Sequence, residues 1–357
     1  MSNYIEYNGT IAFHPGYYIQ EIVEESGLTQ EDFAKRLGTT PKNLSILIRG
    51  EQRLSIEMAN KLSRMLGTTV KFWLNLQQTY DEKVADHLSE EELKREKDVI
   101  RLLQYKYFCE YFSLPEHPRK LNEQIKCLRE YLSVGSLTVL EERDLAVNFR
   151  SFSDALSRSN IVKANAMVQI AINKTIKTKA PKYNKKIFAK AVDFAKTQTK
   201  NHESFLPVLR EAFKEAGVVL VVLPNLSGSG INGATKKVDG KMMLLVNDRG
   251  RYADTFWFTL FHEIGHILNG NLGASFENCT EDEADLYAKN ALIPQEQYDA
   301  FVKQNRVFNE NNICEFADQI DRDPGIVVGR LQKDKKIDYS DTYLSNKLRH
   351  KYKVVAG

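Results

Sequence analysis

The order of hydrophobic and polar positions predicts a string of short helices over residues 14–80. An apolar stripe with helical spacing follows a proline that suits the first turn of a helix. Two further short helices, joined by a three-residue glycine turn, have the form of a helix-turn-helix. The residues that carry this pattern are Pro15 with the stripe Tyr18, Ile19, Ile22 and Val23, the helix caps Thr29 and Thr40, the helix starter Pro41, and the terminating glycines Gly38 and Gly50.

The remainder of the chain predicts more helices and then a small sheet. Residues 81–204 carry Leu, Tyr and Phe stripes between charged faces, which indicates helices. Residues 217–224 form a β-branched apolar run, and Asp239-Gly240 separates two further extended runs, which is a strong hairpin signal. We therefore predict a mainly α fold with a small β-sheet, of the α+β class. Its predicted parts are residues 1–80, 81–204 and 205–357.

Residues 256–268 predict a buried helix with candidate metal chemistry. The run is apolar on nearly every side, yet it carries His262, Glu263 and His266. Because positions i and i+4 lie on one face of a helix, the two imidazoles can bind one metal ion. Glu263 can reach the remaining metal position, where a water would sit. Such polar groups are costly in a core unless they are paired or metal-bound, so the run predicts a hydrolytic Zn²⁺ site rather than a chance pattern.

A second predicted helix, ending before Pro294, offers acidic candidates for the same site. Glu281 and Asp285 share one face of it, so Glu281 can supply a third ligand and Asp285 can accept the free N–H of a ligating histidine. Glu283 competes as the third ligand, although it points elsewhere on the helix. The acids could also form only a solvated helix N-terminus that suits the dipole. We favour Glu281 because the histidine-bearing helix precedes it.

Composition limits the class of protein and its surroundings. A chain of 357 residues with 42% hydrophobic and 27% charged residues is typical of soluble globular protein and long enough for two or three domains. Its four cysteines are scattered, which argues for a reducing compartment and against a disulfide framework. There is no signal peptide and no apolar run long enough to cross a bilayer. We therefore expect a cytoplasmic protein without a membrane partner.

Charge is distributed unevenly along the chain. The net charge is only +3, but residues 158–200 carry eleven Lys or Arg against one acid, Asp193. Such a block can bind nucleic acid or an acidic partner. It can also be the solvated face of helices, as the apolar stripe after Lys185 indicates, and we favour that interpretation.

The third predicted helix, residues 41–50, is the candidate DNA-reading helix. In a helix-turn-helix, the second helix of the motif lies in the major groove and its first turns face base edges. The alternative is a plain helical bundle, because residues 1–80 carry eight basic and eight acidic residues. With no excess positive charge we expect weak binding by a monomer, and operator DNA would be read by a homodimer. Leu44 and Leu47 belong to the core, so the candidate DNA-contacting residues are Lys42, Asn43, Ser45 and Arg49, with Gln30 and Thr40 at helix starts where phosphates are held.

Residues 13–80 resemble the HigA-type antitoxins of the Xre helix-turn-helix family. That resemblance implies a protein that represses its own operon and neutralises a toxin. The matching motifs are His14-Pro15-Gly16, Gly27-Leu28-Thr29-Gln30, Ala34-x-x-Leu37, Ile48-Arg49-Gly50, Met58-Ala59 and Phe72-Trp73-Leu74-Asn75-Leu76-Gln77.

Residues 205–335 resemble the ImmA/IrrE family of zinc peptidases, which are gluzincin-like. By that resemblance His262, His266 and Glu281 bind zinc and Glu263 is the general base. The usual Asn of the second motif is Asp285 here, a change that keeps a hydrogen-bond acceptor and adds charge. The matching motifs are Gly217 to Pro224, Gly233-Ala234-Thr235, Asp254-x-Phe256-Trp257-Phe258-Thr259-Leu260-Phe261-His262-Glu263-x-Gly265-His266, Glu281-x-Glu283-Ala284-Asp285, Pro294 and Val327-Val328-Gly329-Arg330-Leu331.

Two functions compete at this point. The favoured one is a DNA-binding transcriptional regulator whose zinc-dependent metallopeptidase domain cleaves a protein partner, or itself, to control gene expression. The alternative is a non-catalytic, autorepressing antitoxin that uses the peptidase fold to bind a toxin or sense a signal. The sheet bears on this choice, because an edge strand beside a zinc cleft is a natural place for a peptide substrate to add itself as an extra strand.

Overall fold

The computed structural model describes residues 3–7, 10–142, 157–272, 274–276, 282–340 and 342–352. They belong to two compact units, Met1–Arg95 and Glu96–Gly357, and the division falls inside one long helix. The described residues are mainly helical with a small sheet, which confirms the predicted α+β class. The finer division of the chain at residues 80 and 204 stays a prediction. Within these ranges, no helix has both the length and the apolar character needed to cross a membrane.

The first unit is a β-hairpin followed by short helices around one core. The core residues include Ile19, Phe33, Leu44, Leu62 and Trp73, each of them at most 1% exposed. The elements are β1 (Tyr4–Tyr7), β2 (Thr10–Phe13), α1 (Pro15–Glu25), α2 (Gln30–Leu37), α3 (Pro41–Ile48), α4 (Ile56–Leu66) and the start of the long α5 (Val70–Leu103).

The predicted caps begin and end these helices. The hydroxyl of Thr29 accepts a hydrogen bond from the Asp32 amide at 3.1 Å, and that of Thr40 accepts one from the Asn43 amide at 3.2 Å. Gly38 has a φ of 69°, a left-handed conformation that glycine adopts without strain and that ends α2. The helix starts and ends predicted for the helix-turn-helix are therefore confirmed.

The hairpin of β1 and β2 was missing from the sequence prediction. The two strands pair antiparallel, with Tyr4 opposite Phe13 and Tyr7 opposite Thr10. A signal for it was present, because the dipeptide Asn8-Gly9 separates the two runs, and Asn-Gly favours a two-residue hairpin turn.

The second unit surrounds a four-stranded sheet with helices. Its helices after α5 are α6 (Tyr105–Phe112), α7 (Leu121–Leu132), a 3-10 helix (Leu137–Glu141), α8 (Arg158–Lys177), α9 (Lys185–Thr197), α10 (Phe205–Glu215), α11 (Ala253–Asn269), α12 (Asp282–Leu292), α13 (Gln295–Gln304), α14 (Glu310–Gln319), α15 (Pro324–Lys333) and α16 (Thr342–Leu348). Its strands are β3 (Val218–Leu223), β4 (Ile231–Val238), β5 (Lys241–Asn247) and β6 (Ala274–Phe276).

The sheet has the strand order β3-β5-β4-β6. β3 lies parallel to β5, whereas β4 pairs antiparallel with β5, and Val238 stands opposite Lys241. Asp239 and Gly240 have positive φ angles of 50° and 75°, as a two-residue hairpin turn requires. The predicted strands and their hairpin are confirmed.

The outer edge of β4 is partly covered by a short strand that the sequence prediction lacked. β6 pairs antiparallel with β4, so that Ile231 stands opposite Phe276 and Ala234 opposite Ala274. The chain itself therefore supplies the backbone partner along this part of the strand. β6 was missed because a three-residue strand is too short to give a periodic pattern in the sequence, and the expectation of a peptide-binding edge strand beside the zinc cleft stays a prediction.

The helix α11 lies in the middle of the second core. Trp257, Leu260, Phe261 and Ile264 are fully buried and pack in one cluster with the side chains of β3 and β5. A side-chain carbon at Gly265 would lie 3.1 Å from the ring of Tyr287, so this glycine lets α12 approach α11 closely. The predicted buried helix is thus confirmed.

Three of the four cysteines lie in the described residues. Cys109, Cys127 and Cys314 are free thiols. Cys279 lies outside the described residues.

Candidate metal centre and DNA-reading helix

The two histidines of α11 converge on one point. Their Nε2 atoms are 3.1 Å apart, with the rings nearly perpendicular at 80°. The spacing of four residues puts both rings on the same side of the helix. Two imidazole nitrogens at this separation suit a single tetrahedral ion such as Zn²⁺.

Asp285 of α12 holds the first of these histidines. Its Oδ1 lies 2.9 Å from Nδ1 of His262, and its Oδ2 lies 3.1 Å from Nζ of Lys333. Burial disfavours the charged carboxylate, but the hydrogen bond from His262 and the charge of Lys333 outweigh it and lower the pKa of Asp285 to about 2. An ionised Asp285 accepts the Nδ1 proton, which leaves the Nε2 lone pair of His262 for a metal.

Glu263 lies on the same helix and is fully buried. It packs against the backbone of β4, where a side-chain carbon on Gly233 would come within 2.5 Å of its Oε1. A glycine is therefore needed here for the strand to pass the carboxylate. This contact fixes where the carboxylate can lie relative to the two histidines.

Two glutamates, Glu281 and Glu283, are candidates for the third metal ligand. Glu281 lies outside the described residues, directly before α12. Glu283 lies in the first turn of α12 and is exposed. Glu281 and Glu283 both stay candidates.

The candidate DNA-reading helix α3 presents its polar side to solvent. Leu44 and Leu47 are 0% and 2% exposed and face the core, as predicted. Lys42 and Asn43 are exposed in the first turn, while Ser45 is half-buried. The remaining candidates, Gln30, Thr40 and Arg49, are exposed at the start of α2, the start of α3 and the end of α3.

Arg49 already has partners within the first unit. Its guanidinium donates to both carboxylate oxygens of Glu51, at 2.8 and 2.9 Å, and also to the hydroxyl of Ser45. The hydrogen bond from Arg49 lowers the pKa of the Glu51 carboxyl, which is therefore ionised near neutral pH. A phosphate approaching Arg49 would compete with Glu51.

Comparison with known proteins covers both regions. Residues 19–73 match the helix-turn-helix family. The HTH-type transcriptional regulator YddM of Escherichia coli K12, itself uncharacterized, is 37% identical over 76 residues, which are 20% of this chain and 81% of that protein. The chain belongs to the helix-turn-helix transcriptional regulators. The HTH-type transcriptional regulator YbaQ, also of Escherichia coli K12 and uncharacterized, is 34% identical over 87 residues, which are 24% of this chain and 77% of that protein. Virulence-associated protein I of Dichelobacter nodosus is 32% identical over 76 residues, 21% of this chain and 70% of that protein.

This regulator carries a second recognisable region. Residues 214–320 match the IrrE N-terminal-like domain, described as the M78 peptidase family. The match includes α11 with both histidines and Glu263, and also α12 with Asp285. The predicted combination of an Xre-type helix-turn-helix and an ImmA/IrrE-like domain is confirmed.

Some partners of α11 and α12 could not be found from the sequence. Lys333 reaches Asp285 from 48 positions further along the chain, and Arg349 holds Asp254 of α11 from 95 positions away. No local pattern marks either pair. Gly233 did appear within a motif, but its contact with Glu263 depends on how β4 crosses the helix.

The basic block 158–200 serves several structural contacts. Lys163 donates to the carbonyl of Ser227 at 2.7 Å, and Lys185 donates to that of Leu268 at 2.7 Å. Lys200 pairs with Asp318 at 3.1 Å. Lys174 and Lys177 line a cavity of about 960 Å³. These contacts favour a structural role for much of the block.

Proposed function

We propose that this regulator binds operator DNA as a homodimer and carries a zinc-dependent metallopeptidase that cleaves a protein partner, or the chain itself, to control gene expression. The observation that carries the enzymatic part is the convergence of His262 and His266, with Nε2 atoms 3.1 Å apart beside the buried carboxylate of Glu263. The DNA-binding part rests on the membership in the helix-turn-helix family and on the exposed side chains of α3.

The donor set fits zinc. Two imidazole nitrogens and one carboxylate are the ligands of many catalytic zinc sites, in which a fourth position stays open. His262 and His266 would supply the nitrogens, and Glu281 is our choice for the carboxylate, with Glu283 as the alternative. The carboxylate of Asp285 fixes the ring of His262, as outer partners of ligating histidines do.

The chemistry would be hydrolysis of a peptide bond. Zinc, when bound, supplies a Lewis acid for the peptide carbonyl and makes a water more acidic. Glu263 would accept a proton from the water that attacks the carbonyl carbon, and it would then give that proton to the departing amide nitrogen. The contact between Gly233 and Glu263 limits where this carboxylate can move during the transfer.

The test compares Glu263→Gln with Glu296→Gln, which changes an exposed glutamate of α13 in the same way. Zinc-loaded full chain would be incubated with the proteins encoded beside its gene and also alone, and cleavage followed by mass spectrometry. We expect Glu263→Gln to slow cleavage by at least about 100-fold, because general-base catalysis is worth that much. Operator affinity should stay the same in both variants. Equal cleavage rates in the two would refute the peptidase proposal.

A second candidate is a non-catalytic antitoxin that grips a toxin or senses a signal through the peptidase fold. The pairing of β6 with the outer edge of β4 favours it, because the chain itself occupies part of the edge on which a peptide would align. It requires that Glu263→Gln still neutralise the toxin or respond to the signal. If that activity is lost while DNA binding persists, this candidate is wrong.

A further inference from the structure

A second cluster of metal-ligating side chains lies apart from His262 and His266. His202 precedes α10, Asp323 begins α15 and His350 follows α16, and one ligand atom from each lies within 4.8 Å of the other two. We propose that these three residues form a second site for zinc or a similar divalent transition metal. The site shares no residue with the proposed peptidase centre.

The distances are close to those of a tetrahedral site. Oδ2 of Asp323 lies 2.9 Å from Nε2 of His202 and 3.7 Å from Nε2 of His350. Ligand atoms that are each about 2.1 Å from a tetrahedral zinc lie about 3.4 Å apart. Only small side-chain movements are therefore needed to bring the three atoms around one ion.

The surrounding groups hold these ligands in place. The amide of Gly325 donates to Oδ1 of Asp323 at 2.8 Å, which leaves Oδ2 for the ion. The other nitrogen of His202, Nδ1, lies 2.8 Å from the hydroxyl of Tyr352. Metal-binding histidines usually have such a partner on the second nitrogen.

Burial gives the cluster a reason to take a cation. Asp323 is only 2% exposed, and a buried carboxylate is costly without a nearby positive charge. The rings of His202 and His350 lie close together, with centroids 3.7 Å apart and planes tilted by 33°, so one ion can reach both. A divalent ion bound by both rings would compensate the charge of the buried carboxylate. The mixed nitrogen and oxygen ligands favour Zn²⁺ over Ca²⁺ or Mg²⁺.

The position of the site gives it a structural role. The segment 349–352 runs beside the start of α11, where Ala253 donates to the carbonyl of His350 at 2.9 Å and Tyr352 donates to that of Arg251 at 2.8 Å. An ion bound by His350 would tie this segment to α15 and to His202, which precedes α10. It would thereby hold the start of the helix that bears His262.

The experiment uses the full chain with His262→Ala and His266→Ala, so that the first site is removed. After chelation and dialysis, the protein is titrated with Co²⁺, followed by its visible absorption, and with Zn²⁺, followed by metal analysis. We expect one remaining equivalent of tightly bound metal. His350→Ala or His202→Ala, added to this background, should weaken it at least tenfold, because each removes a ligand. His117→Ala, a histidine outside the cluster, is the matched control and should change nothing.

Two outcomes would overturn the proposal. The first is that the background variant takes up no metal in the titration, and the second is that His202→Ala and His350→Ala bind as much metal as His117→Ala. Asp323 is left unchanged because it also caps α15 and its loss could unfold the unit. His350 has a side chain that is 54% exposed, so its replacement should not disturb folding. Hydrogen exchange gives an independent readout, since metal should slow exchange at Ala253 and over residues 349–352.

Discussion

The helices α3 and α11 each carry a candidate functional site, but they are built in opposite ways. On α3 the polar residues face solvent, and the caps that define the helix lie within three residues of their partners. On α11 Glu263 is fully buried and the two histidines are half-buried, and partners of these groups come from distant parts of the chain. Glu263 meets Gly233 of β4, and His262 meets Asp285 of α12.

This difference has an energetic origin. An exposed polar side chain is solvated by water, so substitutions on the exposed face of a helix such as α3 have little effect on the stability of the fold. A buried charge must be compensated by the protein, and removing the partner leaves it uncompensated. We therefore expect substitutions around α11 to act on stability and substitutions on α3 to act on DNA binding.

The largest effect is expected from Arg349→Ala. Arg349 donates from Nε and a terminal nitrogen to both oxygens of Asp254, at 2.9 and 2.8 Å, and the two side chains are 10% and 4% exposed. Asp254 is already disfavoured as an anion, because burial raises its pKa despite Arg349. Breaking a buried pair costs about 3–5 kcal/mol. Urea unfolding followed by hydrogen exchange should show this loss in the second unit alone.

The matched control for this prediction is Arg101→Ala in the same unit. Arg101 pairs with Asp98 at 2.8 Å, but both side chains are more than half exposed. Such surface pairs contribute about 0–1 kcal/mol. If the two variants lose the same stability, the contrast between buried and exposed charges is wrong for this protein.

The fold could be predicted where local chemistry determines it. Thr29, Thr40 and Gly38 mark helix ends, and Asp239-Gly240 marks a hairpin, because each acts on residues within a few positions. β6 was missed because three residues are too few for a periodic pattern.

The candidate site was predictable only in its local part. The spacing of His262 and His266 places both on one helix face, and so the pair could be found from the sequence. The contacts of Lys333, Gly233 and Arg349 depend on how distant elements pack, and no spacing in the sequence encodes them. The cluster of His202, Asp323 and His350 is of the same kind, since its members are 27 or more residues apart.

An intermediate effect, on operator affinity, is expected from Asn43→Ala in the exposed helix α3. Asn43 lies in the first turn of α3, where side chains of a recognition helix reach base edges. Loss of one base contact costs about 1–3 kcal/mol, which corresponds to a loss of about 5- to 150-fold in operator affinity. The stability of the first unit should not change. Binding would be measured by fluorescence anisotropy with operator DNA.

Asn60→Ala, on the exposed side of α4, is its control. It removes the same type of side chain from the same unit, outside the candidate reading helix. If both variants bind the operator as well as the unchanged chain, α3 is not the helix that reads DNA.

The smallest effect is expected from Glu51→Gln, and its sign is the informative part. Glu51 holds Arg49 through two hydrogen bonds at an exposed position. Neutralising Glu51 releases Arg49 for a phosphate, so affinity for DNA should rise a few-fold at low salt. An additional bond to a phosphate also steepens the dependence of log affinity on log salt by about 0.9. Glu57→Gln removes the same charge from a pair with Lys61 on α4 and leaves Arg49 untouched. An equal rise of DNA affinity in both variants would mean that the overall charge of the unit matters and that Arg49 does not bind phosphate. A rise of DNA affinity confined to Glu51→Gln assigns the phosphate contact to Arg49.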